Sequence, residues 1–332
     1  MLHTRHHPRV VVITGASAGV GRATALAFAR HGASVALLAR DPQALEDVAE
    51  QARRAGVRAL PLAVDVSDAD AVEDAAARVE AELGPIDVWV NNAMLTTFSP
   101  LELIHPADYA RITDVTYLGY VYGTMAALRR MRERRRGCIV QVGSALAYRS
   151  IPLQSAYCGA KHAIRGFTDA VRCELLHDRV PVHLTMVQMP ALNTPQFDWA
   201  QCHMAGEPQP VAPIYQPEVA AHAIVWAATH RRREVYVGLS TVQAIVANKF
   251  FPGLLDRYLG RVGYRMQQRA TRVPPGRPDN LREPVRRLHR SHGSFDAQAR
   301  PYSRTLWLDT HRGWLAGAGV LAACLWLSKR RR

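Results

Sequence analysis

The chain has 332 residues, 48% hydrophobic and 21% charged, which is enough apolar matter to bury a full core and too much for a disordered protein. Its formal charge of +14 sits at one end: residues 261–332 hold 16 Lys/Arg against four Asp/Glu, leaving +2 on the rest. With no zinc-finger or helix-turn-helix pattern beside it, this charge argues against a nucleic-acid partner and suits an anionic membrane surface better.

In chain order, strand-like apolar runs alternate with helix-like ones. Strands are predicted at 9–14, 34–39, 58–64, 86–90, 138–143, 182–188 and 234–238. Between them fall helices after Gly15, then at about 42–54, 68–83, 105–135, 155–177 and 217–230. Strands separated by helices of this length imply right-handed βαβ crossovers, so the predicted fold is α/β, a doubly wound parallel sheet (Rossmann fold) in one catalytic domain over 8–240 with a C-terminal extension. The strands lack polar alternation, as expected for a sheet covered on both faces. No secretory pattern precedes the first strand, and Cys138, Cys158, Cys173, Cys202 and Cys324 form no CxxC pair. Both features point to a cytoplasmic, reducing setting without disulfides or a metal site.

The extension divides into three stretches. Residues 241–264 are apolar and aromatic with helical spacing, suited to capping a cleft or forming an interface. Residues 265–305 are basic and include a Pro-, Arg-, Ser- and Gly-rich run, which predicts a flexible linker. Residues 306–332 include Trp314 to Leu327, fourteen residues without a charge, ahead of a Lys-Arg-Arg-Arg end. As a helix that run reaches ~21 Å, short of a ~30 Å hydrocarbon core. Its position beyond a linker and its basic end favour membrane attachment over packing on the body.

Thr14-Gly15-Ala16-Ser17-Ala18-Gly19-Val20-Gly21 joins the first strand to the first helix. Glycines there permit a tight turn, close approach of a pyrophosphate and close helix–strand packing, while the helix N-terminus offers free N–H groups. The second strand ends at Ala39-Arg40, without the carboxylate that would bind a ribose 2′-hydroxyl; a cation there selects NADP(H). The alternative is that Arg40 is solvated while Asp41 caps the next helix. Further on, Ser144 ends a strand, and Tyr157 and Lys161 stand i, i+4 on one helix face. An ammonium beside a phenol is expected to lower its pKa, so that Tyr157 serves as general acid or base while Ser144 binds the substrate oxygen. No GxSxG elbow surrounds Ser144, which excludes a serine hydrolase.

Taken together, TGxxxGxG at 14–21, Asp65-Val66, Asn91-Asn92-Ala93, Ser144 and YxxxK at 157–161 resemble the short-chain dehydrogenase/reductase family over about residues 8–240. The resemblance implies a cofactor site made by Gly15, Ser17, Gly19, Val20, Gly21, Arg40, Asp65, Val66, Asn92, Tyr157, Lys161 and Thr194. In it Asp65 and Val66 flank the adenine, Lys161 reaches the nicotinamide ribose, and Thr194 meets the carboxamide. It also implies a homodimer or tetramer through helices 105–135 and 155–177. Three positions depart from the family's pattern: Met94 replaces a glycine, Thr116 replaces the asparagine that holds a proton-relay water, and Met189-Pro190 replaces Pro-Gly. Thr116 is therefore carried as a catalytic candidate. In the loop 195–215, Phe197, Trp199, Met204 and Tyr215 are expected to line the substrate site and to favour a lipophilic carbonyl or alcohol. The rival reading is a membrane-attached NADP(H) sensor or scaffold with little catalysis.

Overall fold

A computed structural model describes residues 8–312 of the chain. A seven-stranded parallel sheet forms its centre, built from β1 (Val10–Thr14), β2 (Ser34–Ala39), β3 (Ala59–Ala63), β4 (Val88–Asn91), β5 (Cys138–Val142), β6 (His183–Gln188) and β7 (Glu234–Tyr236), in the order β7-β6-β5-β4-β1-β2-β3. The helices are α1 (Gly19–Arg30), α2 (Pro42–Arg54), α3 (Ala69–Glu82), α4 (Pro106–Thr113), α5 (Gly119–Arg134), α6 (Ser155–His177) and α7 (Pro217–Thr229). The doubly wound sheet predicted from the sequence is present.

Alternate residues of each strand feed two cores. Val11 and Ile13 of β1 join Phe28 of α1, Leu45 and Val48 of α2 and Ile224 of α7 on one face. Val10 and Val12 join Val72 and Val79 of α3, Met131 of α5 and Leu175 of α6 on the other. This is why the central strands read as continuous apolar runs: neither of their faces meets water. Small residues fill the contact between α1 and α7, where Ala23 and Ala27 meet Ala221. The strand order reverses between β1 and β4, and ligands of such sheets bind beyond the strand ends at that switch point.

The region predicted as one long helix at 105–135 is α4 and α5 joined by a π-helical turn, Asp114–Leu118. After β7 come α8 (Leu239–Phe250) and α9 (Pro252–Met266), then a strand, Gln268–Arg272, paired antiparallel with Gly206–Pro208. The next segment corrects the flexible linker. It lies against the body, with Leu281 and Phe295 1% and 3% exposed and Ala299–Arg300 paired with Ile214–Tyr215. Composition predicted a loose chain because the segment has no periodicity; its order comes from two buried apolar anchors and from backbone groups that bond to the domain. Residues 304–312 are helical, with Leu306 in the core and Arg232 2.6 Å from Asp309. No helix among the described residues is long and apolar enough to cross a membrane; Trp314 to Leu327 lie outside the described residues.

Candidate active site

The loop after β1 turns at Gly15, whose φ of +66° suits glycine and whose missing Cβ would lie 2.9 Å from the Ala93 Cα. At Gly21 a Cβ would stand 2.1 Å from the Gly15 carbonyl oxygen, so only glycine lets α1 pack against its own entry loop. Asn92 fastens the loop from β4: its Nδ2 donates to the Thr14 carbonyl at 2.8 Å, and its N–H donates to the Thr14 hydroxyl at 2.9 Å. Helix α1 begins with no side-chain cap at Ala18 and no acidic residue in its first turn. Its N-terminal amides and positive dipole end therefore suit an anionic ligand.

This loop opens on a cavity of about 180 Å³ lined by Gly15, Ser17, Gly19, Val20, Arg40, Asp65, Val66, Asn92 and Thr194, among others. The structure thus gathers all but Gly21, Tyr157 and Lys161 of the sequence-predicted cofactor residues into one cavity; Gly21 stands behind the loop, and the other two line the neighbouring cavity. The glycine cradle and the helix end without a side-chain cap fit a dinucleotide pyrophosphate. Asp65 accepts hydrogen bonds from Arg111 and Ser67. Burial alone raises its pKa, but these partners outweigh it and hold the carboxyl below its ordinary value.

Arg40 departs from the solvated alternative. Asp41 does cap α2, accepting from the Ala44 N–H at 3.1 Å, yet Arg40 is not left in solvent. Its guanidinium donates to the carbonyls of Asn280, Leu281 and Arg282. Burial first, then the neighbouring Arg111, lower its pKa. His289 follows the same course across the cavity, 3.0 Å from the Asp41 carboxylate and with its ring 5.6 Å from that of Trp199.

Ser144, Tyr157 and Lys161 line an adjoining cavity of about 270 Å³, with Val20, Asn92, Met94, Thr194 and Gln196 shared between the two. Ser144 extends from the end of β5, its Oγ accepting from the Leu146 N–H at 3.1 Å. Tyr157 and Lys161 share one face of α6. Lys161 is only 2% exposed, and its Nζ donates to the Val142 carbonyl at 2.7 Å and to the Tyr120 hydroxyl at 3.0 Å while standing 5.5 Å from the centre of the Tyr157 ring. Burial lowers Lys161 to about 7. It raises Tyr157 above its ordinary value, with the Ser144 hydrogen bond pulling the other way. The expectation of a lowered phenol pKa is thus reversed in this form of the protein, because the amine is aimed at a carbonyl and a second phenol and burial weakens its charge.

Thr116 is also corrected. It is fully buried in the π turn and spends its hydroxyl on one residue, donating to the Leu95 carbonyl at 3.0 Å and accepting from the Leu95 N–H at 2.9 Å. It pins the loop after β4 and lines neither cavity. Met94 lines both, and Met189 and Pro190 line the catalytic one. Of the four apolar contacts expected from 195–215, only Phe197 lines the catalytic cavity. Trp199 lines the cofactor cavity, while Met204 and Tyr215 are buried in apolar clusters.

Sequence reasoning missed Tyr120, whose phenol donates to the Val142 carbonyl at 3.0 Å and accepts from Lys161; its signal was its place one helical turn beyond Thr116. The stretch 241–264, read from the sequence as a cleft cap or an interface, falls in α8 and α9, whose Thr241, Ala244, Leu259, Gly263 and Met266 line the catalytic cavity. The run 280–289 had no signal beyond its charge.

Residues 9–199 match the family model described as short chain dehydrogenase. The uncharacterized oxidoreductase YxnA of Bacillus subtilis is 32% identical over 92% of this chain and 82% of its own length. The putative oxidoreductase SadH of Mycobacterium tuberculosis is 33% identical over 74% of this chain and 97% of its own. Among solved structures, a short-chain dehydrogenase from Streptomyces avermitilis aligns with a TM-score of 0.64 at 27% identity, over 77% of this chain and 94% of that one. An alcohol dehydrogenase from the archaeon Thermococcus sibiricus, complexed with 5-hydroxy-NADP, aligns with a TM-score of 0.59 at 28% identity, over 69% and 95%.

Proposed function

The chain belongs to the short-chain dehydrogenase/reductase family, and from that premise we propose an NADP(H)-dependent oxidoreductase that interconverts a lipophilic carbonyl and a secondary alcohol, with Tyr157 as its general acid and base. The observation that carries this reading is the convergence of Ser144, Tyr157 and Lys161 on a cavity that shares walls with the glycine-loop cavity. Gly15, Ser17, Gly19 and Val20 would hold the cofactor's pyrophosphate, with Asp65 and Val66 beside the adenine and Thr194 and Lys161 toward the nicotinamide. The bound cofactor supplies or accepts the hydride. Ser144 orients the substrate oxygen, and Tyr157 donates its proton to that oxygen in reduction or accepts one in oxidation. Lys161, with one donor left after Val142 and Tyr120, stabilises the phenolate that reduction leaves.

NADP(H) is favoured over NAD(H) because Ala39 leaves no carboxylate at the end of β2. Arg40 and Arg111 also stand close enough there for Arg111 to depress the Arg40 pKa. A phosphate dianion relieves that repulsion. The Thermococcus relative's complex with an NADP derivative points the same way. Leu146, Ile151, Phe197, Leu259 and Met266 give the catalytic cavity an apolar lining that suits a lipophilic substrate. The reading includes assembly as a homo-oligomer through α5 and α6, where Met125 and Leu176 are exposed. It also includes contact with a membrane surface, for which Phe250, Phe251 and Leu254 stand exposed where α8 meets α9.

Fluorescence titration with NADPH and NADH, followed by an aldehyde and ketone panel on wild type and Tyr157→Phe, tests the assignment. Tighter NADPH binding, with turnover abolished in the variant, is the expected result. Binding without turnover on any substrate replaces the enzyme with the sensor reading, and absence of dinucleotide binding sinks both.

A further inference from the structure

Residues 280–290 cross the cofactor cavity, and their own backbone engages the groups the cofactor needs. Carbonyls of this segment accept from Arg40, and the Arg290 carbonyl accepts from the Gly19 N–H, the first amide of α1, at 3.0 Å. Arg22 donates to the His289 carbonyl at 2.7 Å. Segment and ligand therefore compete for one guanidinium and one helix-terminal amide.

The segment's two ends are fixed apart from these contacts. Before it, the Arg277 guanidinium donates to the Phe197 and Asp198 carbonyls, and the segment's first N–H, that of Asn280, donates to the Trp199 carbonyl at 3.0 Å. After it, Gly293 lies so close to Thr194 that a Cβ would stand 2.5 Å from the Thr194 carbonyl oxygen, and its N–H donates to the Asn193 carbonyl at 3.2 Å. Between these ends the stretch has no helix or strand, and Leu281 is its one buried apolar side chain. Such a stretch opens locally at far lower free energy than the domain unfolds. Pro284, Val285 and His289 wall the cavity from it, and the His289 Nδ1 is buried without a hydrogen-bond partner.

We propose that residues 280–290 are a cofactor strap: they release Arg40 and the Gly19 amide to admit the dinucleotide and close over its adenosine half, so that strap opening sets the rates of cofactor entry and exit. The proposal rests on the dinucleotide-binding reading above and adds the element that governs access. It assigns cofactor contact to His289 and a gating role to Leu281, whose side chain holds the strap by packing.

Stopped-flow NADPH fluorescence on the full chain tests it, with limited trypsin digestion read by mass spectrometry at Arg286 and Arg287, both exposed on the strap. The observed binding rate should level off with NADPH concentration at the strap-opening rate. NADPH should slow cleavage at these two sites at least fivefold. Leu281→Ser should raise both the plateau and the NADPH dissociation rate about tenfold, with circular dichroism and melting showing that the domain still folds. His289→Ala, which leaves Leu281 in place, should raise the dissociation rate with little change in the plateau. A rate that stays linear in NADPH, with cleavage unchanged by the ligand and dissociation unchanged in both variants, overturns the strap and leaves dinucleotide binding intact. A folded protein that binds neither NADPH nor NADH overturns the functional reading instead, and the strap with it.

Discussion

Helix α6 and the strap both wall the active cleft, but they are held there by different means. α6 is a 23-residue helix with Ile164, Thr168 and Val171 buried against the sheet and other helices, and it presents Tyr157 and Lys161 from a scaffold whose amides bond along the helix. The strap has no regular structure; it depends on guanidinium-to-carbonyl bonds and on Leu281. Chemistry that needs atoms placed to within a fraction of an ångström is better carried by the first kind of element, and access by the second. Perturbing α6 should change rates of turnover at nearly constant affinity, and perturbing the strap or its supports should change the rates at which the cofactor enters and leaves.

The largest effect that sharpens this contrast is expected at Tyr157. Removing its hydroxyl should lower kcat by about 10²–10⁴-fold, with the NADPH Kd unchanged within threefold. The wild-type pH profile carries the same information. Burial lifts the Tyr157 phenol above its ordinary value and lowers Lys161 to about 7. Tyr157 therefore holds its proton across neutral pH, the form that reduction needs, while oxidation needs the phenolate, whose fraction grows as pH rises. Alcohol oxidation should climb with pH and carbonyl reduction should not. Residual oxidation with the same pH profile in wild type and Tyr157→Phe removes Tyr157 from the role of base.

Second in size is Gly21→Ala. The added methyl would stand 2.1 Å from the Gly15 carbonyl oxygen, so the loop must shift away from α1. NADPH affinity measured by titration should fall at least 30-fold. Gly276 makes a comparison within the extension, since nothing lies within 4 Å of its would-be Cβ. At its φ of +68°, alanine adds only backbone strain, about 1 kcal/mol, and affinity should change less than threefold. Equal losses at both positions contradict the idea that the loop is built by close approach.

These two glycines also mark what was legible in the sequence. The cradle around Gly15 and Gly21 could be read because one backbone geometry serves one chemistry, and the residue types follow from it. Strand and helix positions followed from burial on both sheet faces. The position of Arg40 at the end of β2 was legible too, but its engagement was not. Its partners are backbone carbonyls 240 to 242 residues away, and a carbonyl carries no residue identity. Thr116 misled for a related reason: a hydroxyl at a helix position does not disclose that the Leu95 backbone will consume it. The strap was hidden because its order comes from Leu281, Phe295 and main-chain bonds, none of which imposes a period.

Next in size is the effect expected at the hub that fixes the strap's far end. Asn193 is fully buried; its Nδ2 donates to Gln216 and Asp296 at 3.0 and 2.8 Å, and its Oδ1 accepts from the Phe295 N–H at 3.0 Å. Asn193→Ala leaves that amide without a partner and should lower stability by about 1–3 kcal/mol. In urea unfolding this appears as a lower midpoint, with faster trypsin cleavage at Arg286 and Arg287. A lower midpoint with unchanged strap cleavage would place the loss in the domain and separate the hub from the strap.

The smallest effect tests whether charge helps to seat that same end. His292 stands 3.0 Å from Glu218 of α7 and 2.7 Å from Asp296. Burial alone lowers its pKa, but the two carboxylates outweigh it and set it above the ordinary histidine value. A raised histidine contributes its full stabilisation below the unfolded-state pKa of about 6.5 and loses it as pH rises through the folded value. The clasp is thus strongest in mild acid and weaker at pH 8. Because all three side chains are partly exposed, solvent and salt screen the attraction and the effect is small. Strap cleavage, corrected for the protease's own pH dependence with a reference peptide, should be slower at pH 6 than at pH 8. His292→Gln, which keeps a hydrogen-bonding group without the titration, should abolish the difference. A pH dependence that survives in the variant assigns it to another group and leaves the strap seated by Gly293 and Asn193 alone.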